Sequence, residues 1–289
     1  MNRNQSIAAS RWVTGRWLFP AFLLAATVLQ PVSSQLPSLG EHPWSGYFVG
    51  HTSRNYRFGL LASGEIYLTV IDAKKEPLHP KLVIPVVVAV EETLPNDKTA
   101  IRRIQPDSMQ SALAATDHLE KVVVSGKFAG DATFELILEQ SRGMILIGGR
   151  LLDTGRSKNP LRLVVRAAFP SPYPFSKEIP NEKAAEIFRK KLKGDGIALT
   201  WTDKQTRTFA IDQDIDAASS EVNGPGIAEA EIKICSYDGR KIVFLASPNS
   251  GMTLENKPGH PLSKGFSLVW HPDTVKDPEG RARLAIDVR

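Results

Sequence analysis

The sequence has 289 residues, 36 basic and 31 acidic, with 42% hydrophobic residues, 21 Gly and 20 Pro. These proportions are those of a globular protein and exclude a disordered chain, a collagen-like repeat and a polytopic membrane protein. The single cysteine, Cys235, excludes a disulfide-stapled miniprotein and any Cys-rich zinc or iron–sulfur module.

The first 34 residues read as a secretory signal peptide. Arg3, Arg11 and Arg16 supply positive charge, no acid precedes Glu41, and an apolar run covers 18–29. Gln30 and Pro31 break that run, and Val32-Ser33-Ser34 offers the small residues of a cleavage site after Ser34. The run is shorter than the roughly 20 apolar residues that a spanning helix requires. The protein is therefore expected to be exported, to a periplasmic or extracellular location, with no membrane span after cleavage; the alternative is an uncleaved N-terminal anchor. Because three basic residues leave with the signal, 33 basic and 31 acidic residues remain, and the apparent basicity belongs mostly to export. The one compact basic cluster, Arg189-Lys190-Lys191 with Lys193, reads as the solvated face of a helix, so a nucleic-acid partner is rejected.

The remaining residues alternate with period two through most of their length. Tyr56, Phe58 and Leu60 form one strand face, a turn at 62–65 follows, and Ile66, Leu68 and Val70 return. The run 82–90 is almost continuously aliphatic, but Pro85 removes a ladder donor and predicts an edge or bulged strand. A helix signal starts at Asp107, with Gln110 three positions later, and extends through Leu113. Strands at 122–128, 133–139 and 144–152, separated by Gly130-Asp131 and Ser141-Arg142-Gly143, predict a meander. Leu161, Leu163, Val165, Ala167 and Phe169 alternate with Arg162 and Arg166, the mark of an antiparallel strand with one wet side.

A proline-rich segment at 170–180 is expected to link an N-terminal β domain (41–169) to a C-terminal β domain (181–289); a strand crossover inside one sandwich is the alternative. The second domain opens with an amphipathic helix that carries Ala184, Ile187, Phe188 and Leu192 on one stripe and ends at Gly194. Strands follow at 197–201, 206–211, 228–237, 241–246, 265–271 and 281–288, with Asp238-Gly239 as a tight turn. The stretch 247–263, rich in Gly, Pro and Asn, reads as a long connection. The expected fold is mainly β, an antiparallel β-sandwich or partly open barrel in two units.

No familiar catalytic signature is present in the sequence. Gly194-Asp195-Gly196 and Gly224-Pro225-Gly226 lack the third glycine and the context of a nucleotide cradle, and Gly126-Lys127 is followed by Phe128. There is no Gly-x-Ser-x-Gly elbow, no Ser-x-x-Lys and no His-Glu-x-x-His; Ser250, before Gly251, reads as a turn residue. Cys235 is expected to be a buried structural thiol. The metal candidate is Asp212, Asp214 and Asp216, alternate carboxylates suited to calcium, although Ala217 and Asn223 stand where an EF-hand wants glycine and glutamate; otherwise no cofactor is expected. Trp44, Tyr47 and Phe48 open the fold, and Trp201 and Trp270 at strand ends are the candidate platform for a sugar ring, with His271 and Asp273 as the polar groups beside it. The leading expectation is a non-enzymatic envelope or extracellular protein that binds a glycan or a protein partner. The alternatives are a secreted hydrolase whose two carboxylates come from separate strands, and a structural or assembly subunit.

Overall fold

The computed structural model describes residues 36–171, 190, 193–217, 219–257 and 260–289. The expected signal peptide, most of the proline-rich segment and most of the expected helix at 181–192 lie outside the described residues. The described residues belong to one compact unit.

The described chain forms two antiparallel sheets of eight strands each. Sheet A contains β1 (Tyr47–Thr52), β2 (Tyr56–Leu61), β3 (Ile66–Val70), β4 (Ile84–Thr93), β5 (Thr99–Arg103), β9 (Leu161–Phe169), β14 (Ser250–Asn256) and β15 (Phe266–Pro272). Sheet B contains β6 (Lys121–Lys127), β7 (Thr133–Ser141), β8 (Met144–Asp153), β10 (Gly196–Trp201), β11 (Thr206–Ala210), β12 (Ile227–Lys233), β13 (Lys241–Ala246) and β16 (Leu284–Val288). In order across each sheet they run β1-β2-β3-β4-β9-β15-β14, with β5 also on β4, and β11-β10-β12-β13-β16-β8-β7-β6. Each sheet takes strands from both sides of 170–180: β9 pairs with β15, and β8 with β16. The boundary expected there does not divide the sheets.

Alternation explains the layers. Val86, Val88 and Val90 of β4, Leu163, Val165 and Ala167 of β9, and Leu268 and Trp270 of β15 are all buried and point toward sheet B. Phe169 stacks on Phe266 at 4.6 Å and meets Phe244 of sheet B edge-on at 5.8 Å, so aromatic rings join the two layers. Polar clasps close the rim: the Tyr56 hydroxyl donates to the Gly143 carbonyl (2.9 Å), and Asn55 Nδ2 donates to the Val288 carbonyl (3.0 Å). Burial raises the Tyr56 phenol to about 12, which keeps it a donor.

Several local expectations require correction. β4 is interior, paired with β3, β5 and β9; Pro85 is tolerated because the β9 ladder begins only at Val86. The helix expected from Asp107 is a 3₁₀ turn over Pro106–Ser108, after which Gln110 exchanges two 2.9 Å backbone bonds with Ser125 and covers the β6 edge. The connection expected at 247–263 contains β14, an edge strand whose glycine weakened the alternation signal. β12 ends at Lys233, so alternation stops before Cys235; that side chain is exposed, not buried, and its N–H donates to Asp195 Oδ2 (2.9 Å). Asp238 and Gly239 do take positive φ (55° and 71°), but within a longer loop that starts with a 3₁₀ turn at Cys235–Tyr237. The remaining described helix, α1 (Ser220–Asn223), is a single turn.

Candidate functional site

The site expected around the tryptophans is not open. Trp201, at the end of β10 in sheet B, is 7% exposed, and its indole N–H donates to the Val222 carbonyl of α1 (2.7 Å). Trp270 is fully buried. Neither ring offers a face to a ligand. Asp212, Asp214 and Asp216 are exposed, and among the described residues no three His, Cys, Asp or Glu side chains converge to hold a metal ion. Alternate positions spread these carboxylates along a turn instead of gathering them, because the loop glycine that would fold the chain around a cation is missing.

His271 and Asp273 fare differently. Trp270 points inward, so the next residue on β15 points outward, away from sheet B. On that outer face His271 is opposite Gly251 of β14 in register. The imidazole lies over that glycine, and a Cβ at position 251 would stand 2.8 Å from His271 Cε1 and Nε2. Glycine is required here for close approach rather than for backbone conformation. The ring, with Arg162, Ser250 and Asp273, lines a cleft of about 350 Å³ at the ends of β9, β14 and β15.

Charge is organised around the cleft by the wet face of β9. Arg162 Nη2 donates to Glu91 Oε2, Arg166 Nη2 lies 3.4 Å from Glu91 Oε1, and Arg166 Nη1 binds Glu255 Oε2. Glu91 is nearly buried, with its side chain 8% exposed, whereas Arg162 is 48% exposed and reaches toward the cleft. Asp273 accepts from the Val275 and Lys276 N–H groups (3.1 Å each), and the Lys276 backbone bond in particular holds its carboxyl below the usual range. Burial, reinforced by the Arg162 charge, pushes the His271 imidazole below its ordinary 6.5, against the opposite pull of the Pro272 carbonyl, Glu91 and Asp273. His271 is therefore neutral at physiological pH, with one ring nitrogen to donate and one to accept. The cleft brings together cationic, anionic and neutral polar groups with their charges compensated.

A larger cleft, of about 430 Å³, lies between 247–249 and 276–282. Its buried carboxylate, Asp277, is consumed by the loop itself, accepting from the Arg281 and Ala282 N–H groups at 2.8 and 2.6 Å. That leaves it little capacity for a ligand. Of the site residues, Arg162 and Arg166 were legible as the wet face of β9, whereas Glu91 and Gly251 were missed. Parity along Phe266, Leu268 and Trp270 was the signal that could have sent the tryptophan inward and the histidine outward.

No protein-family model matches the chain, and no curated protein matches it in sequence. Among solved structures it is similar to an α-N-acetylgalactosaminidase from Bifidobacterium bifidum, with 13% identity and a TM-score of 0.49 over 83% of this chain and 36% of that one. The chain thus spans about a third of that enzyme's length. It is also similar to the Slr1438 protein from Synechocystis sp. PCC 6803 (14% identity, TM-score 0.41, 81% and 92% of the two chains). A galactose mutarotase related enzyme from Lactobacillus acidophilus gives 9% identity and a TM-score of 0.38 over 83% and 96%. These are loose likenesses in strand layout and assign no site.

Proposed function

We propose that this protein is an exported, non-enzymatic β-sandwich protein that binds a neutral, hydroxyl-rich glycan in the cleft beside His271. The observation that carries this reading is the imidazole laid over Gly251 inside a cleft where Arg162 and Asp273 are already charge-compensated. A compensated cleft gives no net attraction to an anion. It offers donors and acceptors at fixed positions, which is what a set of hydroxyl groups needs. Glu91 and Glu255 are both engaged by Arg166, so neither is presented as a general acid, and binding is favoured over hydrolysis. The opening residues support export, and among the described residues no helix is long and apolar enough to cross a membrane.

The test is a glycan-array screen of the folded protein beside a panel of chromogenic glycosides. Neutral glycans should be retained, and His271→Ala or Arg162→Gln should weaken retention at least tenfold, the loss expected from about 1.4 kcal/mol. No retention by folded protein would overturn the reading. Chromophore release abolished by Glu91→Gln would replace it with the hydrolase reading. Native protein beginning at Met1 would remove export.

A further inference from the structure

The outermost strands of the two sheets are protected unequally. On β1 the Gly50 N–H donates to the Thr116 carbonyl (2.8 Å), and the Phe48 carbonyl accepts from the Thr116 N–H (2.9 Å). On β6 Ser125 is paired with Gln110, and on β14 the Leu254 backbone is met by the Asn223 side chain. β11, the other end of sheet B, has no such cover among the described residues. An open edge presents unpaired N–H and C=O groups, which is a template for another strand.

The hairpin that builds β11 fixes which groups those are. The Trp201 N–H donates to the Gln205 carbonyl (3.0 Å), and the Ile211 N–H donates to the Asp195 carbonyl (3.2 Å). Bonded pairs alternate along an antiparallel ladder, so Leu199–Arg207 and Ile197–Phe209 are the bonded pairs in between. Thr206, Thr208 and Ala210 therefore turn their backbone groups away from β10, and all three residues are exposed. Among the described residues only the Ala210 carbonyl of that set is engaged by backbone, accepting from the Gln213 N–H (3.1 Å).

We propose that β11 is the contact through which two copies of this protein pair, antiparallel about a two-fold axis at Thr208, so that sheet B continues from one copy into the other. The strand is complementary to itself in that register. Thr208 exchanges both of its bonds with the second copy's Thr208, and the Ala210 N–H donates to the second copy's Thr206 carbonyl at each end. Arg207 stands across from the second copy's Phe209 and not from another arginine. In its own chain that guanidinium already lies 4.9 Å from the Phe209 ring centroid and 3.7 Å from Glu221, so each cation at the seam has a ring and a carboxylate beside it. Beyond the strand ends the same axis sets Lys204 against the second copy's Asp212. Both are exposed and neither makes an ion pair among the described residues, while the adjacent Asp203 carboxylate is already taken by the Gln205 N–H (2.9 Å). A two-fold contact of this kind closes on itself and stops at two copies. Two five-residue strands make a small interface, so the dimer dissociates on dilution. The glycan cleft lies on sheet A, and this pairing does not depend on it.

The experiment is sedimentation velocity over a concentration series, together with disulfide trapping in a Cys235→Ser background. The mean mass should climb from monomer toward dimer as concentration rises. Thr208→Lys opposes two cations at the axis and should weaken association roughly tenfold or more. In trapping, Thr208→Cys should oxidise to a covalent dimer, because bonded partners stand about 5.5 Å apart, inside disulfide range. Thr206→Cys and Ala210→Cys should each stay monomeric alone and cross-link to one another when mixed. These positions are exposed, and the trapping set keeps the test valid if the lysine variant fails to fold. A monomer at every concentration with no trapping at 208, a dimer indifferent to Thr208→Lys, or Thr206→Cys cross-linking to itself would overturn the proposal and leave the glycan reading standing.

Discussion

Glu91 and Glu92 are consecutive residues of β4 that point to opposite sides of one sheet, and they divide structure from function. Glu92 is buried, and its carboxylate is saturated from within: Ser157 Oγ (2.7 Å) and Asn159 Nδ2 (2.9 Å) donate to one oxygen, and Arg102 Nε (2.6 Å) and Nη2 to the other. It clamps the segment before β9 to β4 and β5. Glu91 is nearly as buried, but it is held by arginines that keep capacity in reserve. Arg162 spends Nη2 on Glu91 and carries its remaining donors toward the cleft. Burial of charge does not mark a site; unspent hydrogen-bonding capacity beside it does. The same division separates Trp270 from His271 on β15.

If that division holds, inward substitutions cost stability and outward ones cost binding. The largest expected effect is Trp270→Ala, which empties the centre of the core and should destabilise by roughly 3–5 kcal/mol in denaturant melts. Its indole N–H has no acceptor among the described residues, so packing alone is lost. A loss under about 1 kcal/mol would break the comparison, since that is the range of surface substitutions.

Next is Glu92→Gln, which should lower the melting temperature near neutral pH. The bonds from Ser157 and Asn159, with Arg102, hold the Glu92 carboxyl below its ordinary 4.5. A depressed folded-state pKa contributes stability that is complete above 4.5 and is lost as pH falls through the folded value. The gap between wild type and variant should therefore narrow on acidification from pH 4.5 downward, and thermal melts at a series of pH values would check it. A gap that widens on acidification would sink the clamp.

The smallest stability effect and the sharpest functional one belong to Gly251→Ala. The added methyl displaces the His271 ring, so glycan affinity should drop roughly tenfold, the worth of one oriented hydrogen bond. Stability should change by less than about 1 kcal/mol, because a side chain and not backbone gives way. Array retention and melts on the same sample separate the two.

Local order was legible and long-range order was not. The hairpin at Gly64, the meander from β6 to β8 and the two faces of β9 follow from alternation and turn residues only a few positions apart. The partnership of β9 with β15 joins residues about a hundred positions apart, and nothing in either strand names the other. For the same reason 170–180 read as a seam between domains. The tryptophans misled because size and position at a strand end were weighed above parity. His271 and Asp273 were read as companions of Trp270, and they share a cleft only because their neighbour turns away from it.

The edge of sheet A beside that cleft has its own protection. The Asn223 side chain donates to the Leu254 carbonyl and accepts from the Leu254 N–H, both at 2.9 Å, as a neighbouring strand would. A second molecule approaching this flank meets a margin already occupied at its middle rung, so strand-by-strand polymerisation has no template there. The outermost strand can then hold Gly251 under the imidazole without inviting a copy of the protein to stack beside it.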